Sequence, residues 1–337
     1  MAADLNQIDL VVGGRFRLLE YVAGGSFGEV FMATDLQKHK IVAVKLEPKF
    51  ENIDPSSLGI ELNIYRALVG GVGMPEMYWF GEEGDYRVMA VELLGPTLYD
   101  LLDYVGNKFS LKTVLMIADQ LICRLRFMHS RKILHQDVTA GNVIMGTGRK
   151  GNCVYLTDFG CAARYFEDPS KADPYDRIGT DSFASLSAHA GRAQCPRDDL
   201  ESLGFLLLFL LGSKFPWNDY VPKSPLDQDK IWKDIGQIKN DTTIETLCEG
   251  VPHAFLLYFR HVRSLQYHDR PDYSYLRSIF RELFVESGFE YDHVYDWTAQ
   301  LFESARTRRQ EESDDSSTPP TDDNRPIDLY ASWRNVG

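Results

Sequence analysis

The densest chemistry in the chain lies between His135 and Gly160. There His135-Gln136-Asp137-Val138-Thr139-Ala140-Gly141-Asn142 is followed, after a spacer, by Asp158-Phe159-Gly160. An Asp, an Asn five residues on, and then Asp-Phe-Gly supply what phosphoryl transfer requires. One carboxylate (Asp137) orients the attacking hydroxyl and accepts its proton. An amide (Asn142) and a second carboxylate (Asp158) hold the Mg²⁺ ions that bridge the phosphates of ATP. Each piece alone has an ordinary reading, Asp-Phe-Gly as a turn and His-x-Asp as a loop pair. It is their combination in this order that points to chemistry.

Such groups need a lobe that grips a nucleotide, and the first hundred residues read as one. Phe16–Tyr21 has a strand pattern and runs into Val22-Ala23-Gly24-Gly25-Ser26-Phe27-Gly28-Glu29-Val30. A strand, a glycine-rich turn and a strand make either an ordinary hairpin or a flap whose backbone, free of Cβ atoms, lies close over phosphates. Ile41-Val42-Ala43-Val44-Lys45 predicts a strand, its β-branched run suggesting burial on both faces. Lys45 at its end either snorkels or reaches the phosphates. Glu61, sixteen residues on, lies in the amphipathic helical stretch Ser57–Leu68, as a solvated glutamate or as the ion-pair partner of Lys45. A further strand, Arg87–Leu94, ends at Gly95-Pro96. Val91, Glu92 and Leu94 then fall on a connector, where backbone groups can meet an adenine edge. Val22, Val30, Ala43 and Ile144 would wall a mostly apolar slot.

Beyond the connector, Leu98–Val105 and Leu111–Ser130 have helical periodicity, and the apolar run Leu203–Leu211 reads as a buried core helix. Several stretches then carry a specific resemblance: Glu92-Leu93-Leu94-Gly95-Pro96; Ala184-Ser185 where most protein kinases have Ala-Pro-Glu; Arg197-Asp198-Asp199-Leu200-Glu201-Ser202-Leu203-Gly204; Pro216-Trp217; and Arg270-Pro271-Asp272-Tyr273-Ser274-Tyr275-Leu276-Arg277. The chain resembles the casein kinase 1 family of serine/threonine protein kinases, as a divergent member, from about Arg15 to Trp297. The resemblance implies an α+β bilobal protein kinase fold, with a small β-rich N-lobe and a larger, mainly helical C-lobe. It also implies ATP- and Mg²⁺-dependent transfer to serine or threonine of proteins, a Thr180 that helps hold the catalytic loop, and an Asp198 that caps that loop.

Four departures bear on function. Thr139 stands where serine/threonine kinases place a Lys against the γ-phosphate, and a hydroxyl brings no charge; loss of one such preorganised group lowers rates by roughly 10²–10³. The alternative expectation is therefore a nucleotide-binding pseudokinase or scaffold with little or no transfer. Gln136 replaces the Arg that ties to a phosphorylated activation loop. Ala23 replaces the first glycine of the flap. Asp181 and Ser182 stand where the family has Ala and Arg, with Arg177 as a partial substitute, which weakens recognition of phosphate-primed substrates.

The 337 residues thus divide into an extension (1–14), a kinase domain (15–303, with the N-lobe and hinge at 15–95 and the C-lobe at 96–303), and a tail at 304–337. The tail is acidic, holds Pro and Ser and has the composition of a disordered segment. Its Ser316, Ser317 and Thr318 are candidate autophosphorylation sites, the plainer role being solubilisation. A net charge of −13 speaks against a nucleic-acid binder or a polybasic membrane surface. Five cysteines without a C-x-x-C and a start without a signal-peptide pattern predict reduced thiols and an intracellular protein, cytoplasmic or nuclear. Its expected partners are ATP and protein substrates, and its expected state is a monomer.

Overall fold

The alternation of buried and half-buried residues along Lys40–Pro48 sets the architecture of the first lobe. Val42, Val44 and Leu46 point into a core, and Ala43 and Lys45 point the other way, towards a cleft. The strand is thus not buried on both faces, as its β-branched run suggested. It is half-buried because one of its faces lines the cleft. The computed structural model describes residues 10–25, 28–49, 57–171, 177–221 and 227–314. Strands β1 (Val11–Val12), β2 (Phe16–Gly25), β3 (Gly28–Asp35), β4 (Lys40–Pro48), β5 (Met77–Glu83) and β6 (Tyr86–Glu92) form an antiparallel sheet of order β1-β2-β3-β4-β6-β5. Phe16, Leu18, Phe31, Ala33, Val42, Val44, Val88 and Ala90 make its core. Helix α1 (Ser57–Ala67) lies between β4 and β5 in the chain, and its Leu58, Ile64 and Tyr65 join the core of the second lobe instead.

The second lobe is mainly helical. Its centre is α3 (Leu111–Ser130), which starts where Ser110 accepts from the Thr113 amide and runs apolar along the side that meets the other helices. Before it, α2 (Leu98–Tyr104) opens on a reciprocal capping box between Thr97 and Asp100. Short strands follow: β7 (Ile133–Leu134), β8 (Val143–Met145), β9 (Val154–Leu156) and β10 (Ala163–Arg164), paired as β7 with β10 and β8 with β9. Then come α4 (Leu186–His189), α5 (Pro196–Leu210), α6 (Gln228–Asp241), α7 (Ile244–Leu247), α8 (His253–Ser264), α9 (Tyr273–Glu286) and α10 (Asp296–Asp314). The predicted core helix at Leu203–Leu211 is the second half of α5, which is buried along nearly all of its length.

α10 continues past Glu303, where composition placed the start of an unordered tail, so residues 304–314 are helical. It is anchored at its start. Asp296 accepts from the backbone and hydroxyl of Ser110, both at 2.6 Å, and Trp297 stacks on Tyr295 and packs against Phe109. Ser316, Ser317 and Thr318 lie outside the described residues. Among the described residues no helix is long and apolar enough to cross a membrane.

Candidate active site

The site forms where the two lobes meet. β4 carries Lys45 into the cleft, and α1 carries Glu61 to meet it at 2.7 Å; Glu61 is almost fully buried. Lys45 also reaches Asp158 at 3.4 Å, which bridges the first lobe to the Asp-Phe-Gly turn. Burial works to lower the Lys45 ammonium's pKa, but the two carboxylates outweigh it and leave the pKa above its usual value. Phe159, fully buried, packs edge-on against Tyr65 of α1 with centroids 5.0 Å apart. α1 is therefore seated on the turn that carries Asp158. Asp158 itself has φ 57°, a left-handed conformation uncommon outside glycine, and its own carboxylate accepts from the Gly160 amide at 3.4 Å.

The catalytic-loop candidate is held from several sides. Asn142 Nδ2 donates to both the carbonyl and Oδ2 of Asp137, each at 2.9 Å. Thr180 Oγ1 donates to Asp137 Oδ1 at 2.8 Å, as the resemblance implied. Both oxygens of Asp137 are thus fixed, and with them the direction in which the carboxylate faces. Asn142 keeps its side-chain oxygen for another partner. His135 bridges inward, with Nε2 at 2.9 Å from the Thr157 carbonyl and Nδ1 accepting from the Asp137 amide at 3.3 Å.

The residue that ties down the loop is Asp199, not Asp198. Asp199 accepts from the backbone amides of His135 and Gln136, both at 2.8 Å, and from His129 Nε2 at 2.7 Å. Burial alone would raise its pKa, yet these donors hold it below the usual carboxylate value. Asp198 faces the other way. It accepts from the Cys195 amide at 2.8 Å and the Ser185 hydroxyl at 2.9 Å, closing the capping box of α5. The sequence held a signal for this: Pro196 at the first helical position puts Asp198 third, where a capping box takes its acid.

Thr139 is nearly buried, and its hydroxyl accepts from the Asn142 amide at 3.3 Å. It braces the loop from inside and presents no group to the cleft in place of a Lys. Gln136, also nearly buried and at φ 66°, leaves its side-chain oxygen without a hydrogen-bond partner. It borders a cavity of about 730 Å³ that Arg66, Arg164 and Arg192 also line. Cations are therefore present where Gln136 replaces the expected Arg. Arg177, by contrast, is paired with Asp229 at 2.9 Å, and Lys230 with Asp234 at 3.1 Å, so neither stands as an unopposed cation for an acidic acceptor.

The flap is a hairpin in which Gly24 faces Glu29 and Gly25 faces Gly28. Gly28 has φ 118°, and a Cβ there would lie 2.1 Å from the Leu46 carbonyl oxygen, so glycine is required for flap and β4 to touch. Ser26 and Phe27 at its tip lie outside the described residues. Val22 and Ala23 are exposed, and Val30, Ala43, Val91 and Ile144 are half-buried along the cleft. On the connector, Leu94 is buried and the Glu92 amide donates to the Glu76 carbonyl at 2.8 Å. The Glu92 side chain turns away to Lys150 at 2.6 Å.

Cys161, directly after the turn, is half-buried, and burial together with Asp137 and Asp158 pushes its thiol up to about 12. Among the described residues no group of three or more His, Cys, Asp or Glu could enclose a metal. Asn142 and Asp158 suit an ion that takes one or two protein oxygens and completes its shell from phosphates and water, the habit of Mg²⁺.

A strand-rich lobe over a helical lobe, with a paired Lys and Glu above a braced Asp–Asn loop, defines a bilobal phosphotransferase architecture of mixed α+β class. Residues 16–257 match the protein kinase domain, and the chain belongs to that family.

Proposed function

We propose that the protein is a serine/threonine-directed kinase related to casein kinase 1, using ATP and Mg²⁺ on protein acceptors. The observation that carries this reading is the state of Asp137, whose two carboxylate oxygens are held by Thr180 and Asn142 within a lobe closure that also pairs Lys45 with Glu61. In this reading Asp137 orients the acceptor hydroxyl and takes its proton as the hydroxyl oxygen bonds to the γ-phosphorus, while the bond from that phosphorus to the bridging oxygen breaks and ADP leaves with the electron pair. Lys45 steadies the nucleotide's phosphates, Glu61 keeps Lys45 extended, and the flap backbone from Ala23 to Gly28 covers them. Asn142 and Asp158 hold Mg²⁺, which when bound neutralises the charge building on the phosphates. Val22, Val30, Ala43, Val91 and Ile144 shield the base, and the backbone at Glu92 and Leu94 meets its edge.

The subfamily assignment is supported by the Glu92–Pro96, Arg197–Gly204 and Arg270–Arg277 stretches. Neutralisation of Arg177 and Lys230 by Asp229 and Asp234 favours acceptors that need no prior phosphate. A second reading, a nucleotide-binding scaffold, draws on the inward-turned Thr139. The deciding experiment is transfer from ATP and Mg²⁺ to casein and to the protein's own tail, beside Asp137→Asn. Transfer in the wild type and its loss in the variant supports the kinase. Nucleotide binding without transfer supports the scaffold, and recovery of transfer in Thr139→Lys would then identify the missing charge as the reason.

A further inference from the structure

Lys239 on α6 is fully buried, which is rare for a lysine. Its Nζ donates to the carbonyl of Asp181 at 2.7 Å and to the carbonyl of Ala184 at 2.8 Å. The same ammonium lies 4.8 Å from the ring centre of Phe205 and 5.0 Å from that of Trp217. Both hydrogen-bond partners are backbone oxygens of one short segment, Thr180–Ala184. That segment begins with the threonine that holds Asp137. It also continues into Ser185, where Ala184-Ser185 stands in place of the Ala-Pro-Glu of most protein kinases. Because Thr180 holds Asp137, an acceptor hydroxyl that reaches Asp137 comes close to the start of this segment.

We propose that Lys239 is a positioning residue for phosphoryl transfer, acting as a buried clamp that fixes the backbone of Thr180–Ala184 and thereby the seat of the acceptor chain and the orientation of Asp137. The proposal rests on the kinase reading above and adds to it an element that holds this segment from beneath. The surroundings favour a clamp over an incidental buried charge. Glu201 of α5 is occupied by Arg263 of α8 at 2.8 Å and by the Leu186 amide at 3.1 Å, so it braces the neighbouring turn. His189 of α4 places Nε2 at 3.2 Å from the same Asp181 carbonyl and Nδ1 at 2.9 Å from the Trp232 carbonyl. A neutral imidazole donates to only one of these, which leaves Lys239 as the donor able to serve both Asp181 and Ala184.

The charge of the clamp is itself adjustable. Burial pushes Lys239 down to about 7, against the pull of Glu201 and Asp181 and with Arg263 adding to the fall. Burial, with Lys239 adding, pushes His189 down to about 4, so it stays neutral across the relevant range. Deprotonated Lys239 keeps two N–H donors, but its bonds lose charge assistance, which roughly halves their strength. Acceptor binding is therefore tighter below neutral pH than above it.

The test compares wild type, Lys239→Met and Lys239→Arg as full-length proteins, with steady-state kinetics on casein and on ATP from pH 6 to 8.5. Lys239→Met removes two charged hydrogen bonds and is expected to raise KM for casein by at least about tenfold, the worth of one of them, to leave KM for ATP unchanged, and to abolish the rise of casein KM with pH. Lys239→Arg should restore most of the casein affinity with a flat pH profile. A casein KM in Lys239→Met equal to wild type, or a loss of kcat alone that tracks thermal stability, overturns the clamp. If wild type transfers no phosphate at all, the kinase reading fails, and hydrogen exchange across residues 180–186 still decides: faster exchange in Lys239→Met upholds the clamp, unchanged exchange overturns it. If Lys239→Met does not fold, the pH dependence of wild-type casein KM decides, a flat profile from pH 6 to 8.5 overturning the proposal.

Discussion

Two adjacent aspartates have opposite duties. Asp199 accepts from two amides of the catalytic loop and a histidine, whereas Asp198 closes the start of its own helix. Successive helix residues point about 100° apart, so one Asp reaches the loop and the other cannot. Asp199→Asn is expected to cost about 3 kcal/mol in urea unfolding, because buried donors lose a charged acceptor, and to lower transfer sharply. Asp198→Asn should cost about 1 kcal/mol, the scale of a helix cap, with near-normal kinetics in its folded population. The resemblance implies Asp198 for the role of holding the loop, and the correction to Asp199 comes from the phase of the helix against a loop more than sixty residues earlier, which one motif cannot show. Cys161 gives a further residue-scale prediction. With its thiol pushed up to about 12, little thiolate exists near neutrality. Mass spectrometry after iodoacetamide treatment at pH 7.5 should find Cys161 unmodified in the native protein and alkylated only after denaturation.

At the scale of elements, what was legible was what depends on neighbours in the chain. Leu111–Ser130 has the period of a helix and is α3 to the residue, because that period and its Ser110 cap are local signals. Lys45 with Glu61 and Asp137 with Asn142 are legible in motif spacing, and Thr180 beside the catalytic loop only through the resemblance to casein kinase 1; the structure brings each pair together. The one-sided burial of β4 was not legible, since Val-Ala-Val looks equally apolar on both faces until a cleft is known to lie against one. Nor was Lys239, which sits in a polar helix among lysines that face solvent. Composition ends α10 too early for a related reason: acid-rich sequence resembles disorder unless the helix has an anchor, here Asp296 on Ser110 and Trp297 on Phe109. Deleting everything after Asp314 is expected to leave the melting temperature within about 1 °C. Ending the chain at Tyr295 should lower it by several degrees, since a buried Trp is worth about 3 kcal/mol or more; calorimetry of the two truncations checks this.

For the molecule as a whole, Lys239 gives the stability curve a sign that can be checked. Its folded pKa is about 7 and its ordinary value 10.5. Between those values the unfolded chain carries a proton that the folded chain lacks, so this residue makes stability rise with pH across that window. Below about 7 both states are protonated and its contribution is flat. The difference in urea-unfolding free energy between wild type and Lys239→Met should therefore change from pH 7 to 10 and hold steady from pH 5 to 6. The connector has a mechanical consequence. Gly95 donates to the Met145 carbonyl at 2.8 Å, Met145 donates to the Pro96 carbonyl at 3.0 Å, and Glu92 donates to Glu76. The backbone from Gly95 on is stitched to the lower lobe and that of Glu92 to the upper, which places the pivot at the connector. A lever pivoted there moves least beside the connector and most at its far end, which is the flap. Rocking of the lobes would therefore bare the phosphate end of a bound nucleotide first and release its base last, so departure and entry would proceed along one direction through the same mouth.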